Sequence, residues 1–116
     1  MGIQAVESDA VSFYARKILK KIESNFKIIP LNSLRNEKYL LKFPIYITIE
    51  YDDGQVIASF DDVEAFAYAD NEFEAVDLLC QEIIILYNEL SEEDKDNLGP
   101  LPKKWLSILH YFITCN

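Results

Sequence analysis

The sequence predicts an α+β fold: a small antiparallel sheet, built from a hairpin and a short third strand, packed by one long helix, with further helices at the amino and carboxy ends. Three observations carry this reading. Residues 44–51, Pro-Ile-Tyr-Ile-Thr-Ile-Glu-Tyr, alternate with the period of two that a half-buried strand requires. Asp52-Asp53-Gly54-Gln55 supplies the residue types of a tight reversal, after which Val56-Ile57-Ala58-Ser59-Phe60 returns as the second strand. From residue 71 to residue 90 the apolar side chains recur at helical spacing instead.

The elements follow in order. Ser8 suits an N-cap, Asp9 suits the positive end of a helix dipole, and Val11, Ala15, Ile18, Leu19 and Ile22 share one face, so a first helix is expected over residues 9–24. Residues 26–30 are a short apolar stretch closed by proline. Residues 31–38 mix turn formers with charges, and the stretch through Phe43 fits a loop, a strand or a helical turn equally well. In the hairpin, Ile45, Ile47, Ile49 and Tyr51 fall on the face toward the helix, leaving Tyr46, Thr48 and Glu50 on the other. A third short strand is expected around residues 66–68. Asp70 or Asn71 then caps the long helix, whose first turn carries Glu72 and Glu74. Its apolar positions, Ala75, Val76, Leu79, Cys80, Ile83, Ile84, Leu86, Tyr87 and Leu90, cover about half the circumference, more than the ~100° stripe of one buried face, so a second packing partner is required. A last helix over residues 102–113, with Pro102 in its first turn and Trp105, Ile108, Leu109 and Phe112 on one face, is a candidate cover.

A chain of 116 residues that is 50% hydrophobic makes one domain, residues 1–116, with a core of ordinary size. Its formal charge of −9 is unevenly placed: residues 50–96 hold sixteen Asp/Glu against the single Lys95. Nucleic-acid affinity depends on cations displacing counterions from phosphates, so this balance is a poor match for DNA or RNA and a natural match for a basic protein. The basic run Arg16 to Lys21 with Lys27 reads as a solvated helix face, since the loop between the strands, where RNA binding would need a basic cluster, is acidic. Cys80 and Cys115 imply no disulfide framework. With neither a secretory leader nor a membrane-spanning apolar run, a soluble, cytoplasmic protein is expected.

Residues 45–90, followed by Leu98-Gly99-Pro100, resemble the HicB-like antitoxin superfamily. In that family a strand-turn-strand unit precedes a Tyr-Gly-Asp-Thr turn and a Glu-Glu-Ala helix start. Here the run is Tyr68-Ala69-Asp70-Asn71-Glu72-Phe73-Glu74-Ala75, with alanine in place of the glycine and asparagine in place of the threonine. The resemblance implies a partial ribonuclease-H-like sheet and helix, and a role in binding and neutralising a small basic ribonuclease toxin. It does not extend to the DNA-binding segment that typical members carry, for which no stretch of this chain is a candidate.

No catalytic constellation emerges, so a non-catalytic interaction module is expected, with no cofactor or metal. His110 is the only histidine and has no positioned nucleophile, Cys80 sits among apolar helix residues as an inert thiol, and the acidic clusters lack the alternation of an EF-hand loop. The candidate partner-binding residues are Asp52, Asp53, Asp61, Asp62 and Glu64, in the two turns of the sheet, together with Tyr46 and Ile57 on the sheet face away from the long helix. Left uncovered by the first helix, Tyr46 and Ile57 make an apolar patch for a partner or a second copy in a homodimer; covered by it, they are core.

Overall fold

The computed structural model describes residues 25–116. Its main sheet has four antiparallel strands in the order β1-β3-β4-β5, where β1 is Asn25–Leu31, β3 Ile45–Asp52, β4 Gln55–Phe60 and β5 Ala65–Ala69. The long helix α1, Glu72–Glu92, lies over β4 and β5, and the second helix α2, Pro100–Phe112, packs against α1 and the 61–63 turn. A separate two-stranded ladder joins β2, Tyr39–Leu41, to the carboxy-terminal β6, Ile113–Cys115. The first helix expected over residues 9–24 lies outside the described residues.

The hairpin forms as its alternation requires. Asp52 and Gln55 close the ladder, and the two loop residues both have positive φ, 51° at Asp53 and 83° at Gly54. A two-residue reversal with two positive φ values matches the right-handed twist of its strands, and aspartate followed by glycine tolerates it best. Ile45, Ile47 and Ile49 are buried on the helix side with Val56, Ala58 and Phe60 from β4 and Ala67 from β5. Against them α1 buries Ala75, Val76, Leu79, Cys80, Ile83 and Leu90. Asn71 caps this helix, its Oδ1 accepting the Glu74 N–H at 2.9 Å.

Three strands were expected in the sheet, and there are four. The apolar stretch 26–30 is the missing one, extended as β1 and paired with β3 from Asn25↔Tyr51 to Leu31↔Ile45. Pro30 cannot donate to a ladder on both sides, but β1 lies at the sheet edge, where one side needs no donor. The ambiguous stretch 39–43 resolves into β2, tied at both ends to the carboxy terminus: Lys42 N–H donates to the Phe112 carbonyl, and Asn116 N–H to the Lys38 carbonyl, each at 2.8 Å. The broad apolar arc of α1 has two covers, α2 with Leu106 and Leu109, and the β1–β3 connection with buried Leu34. Within that connection Tyr39 stands edge-on to Tyr87 and accepts an amide hydrogen bond from Asn88 at 2.9 Å.

Arg35 and Glu72 fasten the front half of α1. Arg35 adopts φ 58°, places its guanidinium 4.4 Å from the Phe73 ring centroid, and donates to the Phe73 carbonyl at 3.1 Å. Glu72 Oε1 accepts the Tyr51 hydroxyl at 2.5 Å and meets Lys27 Nζ at 3.0 Å, linking β3 and β1 to the helix start. The Tyr51 and Lys27 donors hold its carboxyl below the ordinary carboxylate value, and both partners are raised in return.

Candidate functional site

The strands set the acidic residues at two separate places. Asp52 and Asp53 sit at the β3–β4 turn, while Asp61, Asp62 and Glu64 follow the other end of β4. Six strand residues separate the groups by roughly 20 Å, so residues close in sequence belong to opposite ends of the sheet. At the first end, Asp52 and Asp53 border a shallow recess of about 510 Å³ with Tyr51, Asp70, Asn71 and Glu72. Glu72 is already engaged there by Lys27 and Tyr51.

At the second end Glu64, but neither Asp61 nor Asp62, borders an apolar floor. A recess of about 330 Å³ is lined by Glu64, Glu82 and Glu89 together with Phe66, Ile85, Leu86 and Trp105. The three carboxylates come from different sources. Glu64 closes the single turn Asp61–Val63 with φ 55°, its N–H bonded to the Asp61 carbonyl at 3.1 Å. Glu82 and Glu89 are spaced seven apart on α1, two helical turns, and so project on one side with Ile85 between them. Both ion pairs between described residues, Lys27–Glu72 and Arg35–Asp77, lie elsewhere. An apolar floor under carboxylates that pair with no described cation suits a ligand that brings both cations and apolar side chains.

The sheet face away from α1 carries its side chains in rows that follow the register. Phe26, Glu50, Ile57 and Tyr68 form one row, and Ile28, Thr48, Ser59 and Phe66 the next, with Tyr46 beyond them beside Pro30. Large side chains stand on both outer strands and short hydroxyls lie between, which shields Thr48 and Ser59 to 8% exposure. Tyr46 is 67% exposed, Phe66 58% and Tyr68 57%, so the described residues leave this face uncovered. Tyr46 and Ile57 do share it, as expected, although Ile57 is itself half-buried between its row neighbours.

Sequence reasoning named Glu64, as one of five acidic turn residues, and missed the other residues that border the second recess, Glu82, Glu89, Trp105 and Phe66. The seven-residue spacing of the two glutamates around Ile85 was the available signal. Burial pushes the Cys80 thiol up to about 11, its Sγ lying 3.8 Å from the Ser33 carbonyl, which disfavours the thiolate form that a nucleophile requires. His110 is exposed with its ring 5.6 Å from that of Tyr87. Among the described residues no group of three or more His, Cys, Asp or Glu is placed to hold a metal ion, and no helix is long and apolar enough to cross a membrane. No family model matches the chain, and neither a curated protein nor a solved structure does.

Proposed function

We propose that this protein is a non-catalytic binding module for a basic protein, and that the recess of Glu64, Glu82 and Glu89 is its principal contact. The observation that carries the proposal is the juxtaposition of three carboxylates with Ile85, Leu86 and Trp105. Carboxylates steer a cationic partner at a distance, while the apolar floor supplies the desolvation that holds it. Asp52 and Asp53, at the far end, contribute long-range attraction rather than contact. The resemblance to HicB-like antitoxins gives this reading its sharpest form, in which the partner is a small basic ribonuclease held inactive.

Charge reversal tests it. The full chain is used to capture a basic partner from its host, and the purified pair is titrated at several salt concentrations. Glu82→Lys with Glu89→Lys should weaken binding by at least tenfold and flatten its salt dependence, whereas Asp52→Lys with Asp53→Lys should mainly slow association. Equal affinity for all three forms would place the contact elsewhere, with the face of Tyr46 and Ile57 the next surface to test. Recovery of only a second copy of the chain would replace the proposal with a homodimer.

A further inference from the structure

The two edges of the main sheet are unlike. β1 carries Lys27 and Pro30, and a proline offers no N–H to an incoming strand. β5 reads Ala-Phe-Ala-Tyr-Ala and contains no charge, no proline and no glycine. Among the described residues nothing pairs with its side away from β4. An edge of that composition is a template for another strand, because among the described residues its outward N–H and C=O groups have no ladder partner.

Resting on the binding function proposed above, we infer that the partner joins at β5 by strand addition, contributing an extended segment that alternates basic and apolar residues. Chemistry at both ends of β5 selects such a segment. Glu64 immediately precedes the strand and Asp70 follows it, while Glu82 and Glu89 stand alongside on α1. Phe66 and Tyr68 project to the uncovered face and offer apolar contact at alternate positions. Cationic side chains on the added strand reach the carboxylates, and the apolar ones meet the aromatic rings.

The same charges disfavour a second copy. Antiparallel pairing of two β5 strands about Ala67 sets Glu64 of each against Asp70 of the other, at both ends, and directly opposed like charges destabilise a ladder. The edge therefore attracts a basic strand and repels its own kind.

The test uses the full chain, with an alternating Lys-Val peptide and a Lys-Pro peptide of equal length and charge as probes. Amide hydrogen exchange is followed by NMR. The Lys-Val peptide should bind at least about tenfold more tightly, a difference of ~1.4 kcal/mol, and should slow exchange within residues 65–69 but not within β1. Phe66→Lys should abolish that protection while circular dichroism and the exchange protection of β3 and β4 show the sheet still formed, since the side chain it replaces is more exposed than buried. Equal binding of the two peptides would overturn strand addition while leaving the acidic recess as a binding site. No binding of either would count against both readings, and protection of residues 65–69 that rises with protein concentration alone would overturn the proposal in favour of a dimer.

Discussion

Adjacent leucines on α1 give a sharp test of its packing, because Leu79 is fully buried and Leu78 is 40% exposed. Leu79→Ala removes three buried carbons, a transfer loss of ~2.4 kcal/mol at ~0.8 kcal/mol each. The cavity left between helix and sheet raises the cost to ~3–4 kcal/mol, within the range of buried leucine truncations. For a chain of 116 residues the unfolding entropy near the midpoint is ~0.24 kcal/mol/K, so Tm should fall by ~12–16 °C. Leu78→Ala leaves a space that water fills and should cost ~1 kcal/mol, or ~4 °C. Thermal unfolding followed by far-ultraviolet circular dichroism and by the fluorescence of Trp105 measures both, and coincidence of the two signals establishes two-state behaviour. Equal falls for the two variants, or a larger one for Leu78→Ala, would show that the helix does not present the face described.

Three further outcomes follow from particular contacts. Gly54→Ala should destabilise by ~1 kcal/mol through backbone strain alone, since φ there is +83° and a Cβ would meet nothing within 4 Å; a chemical denaturation midpoint reads it. The depressed carboxyl of Glu72 contributes stability above its ordinary value of 4.5 that is lost as pH falls through the lower folded-state value. Wild type should therefore melt higher than Glu72→Gln near neutral pH and converge with it in acid, and a constant gap across the titration would refute the linkage. An aromatic disulfide reagent at about pH 8 should modify Cys115 at once and Cys80 only after unfolding, because burial keeps the latter protonated and out of reach.

Much of the fold was legible because its signals are local. The period of two in residues 45–51, the Asp53-Gly54 reversal and the cap at Asn71 each announce themselves within a few residues. β1 was obscured by Pro30, which argues against a central strand but is harmless at an edge. β2 and β6 have three residues each and no alternation to read; they are strands only because they meet. The candidate site suffered from the same dependence on distance. Acids crowded between residues 50 and 64 suggest one surface, but an extended strand carries the chain across the domain between them. Glu82 and Trp105 reach Glu64 only through the packing of two helices.

The β2–β6 ladder also has a kinetic meaning. The side-chain amide of Asn116 bonds the Glu37 carbonyl across 79 residues, so these contacts close a loop that takes in most of the described chain. Loop-closure entropy must be spent before so distant a pairing returns anything, which makes the ladder a late event, formed after the hairpin and α1 have assembled. Perturbations there should hasten unfolding while leaving the folding rate nearly untouched. On the ribosome the consequence is a delay: the sheet and α1 emerge before β6, and the β1–β3 connection waits unclasped, with Tyr39 and Leu41 open to solvent, until residues 113–115 have cleared the exit tunnel.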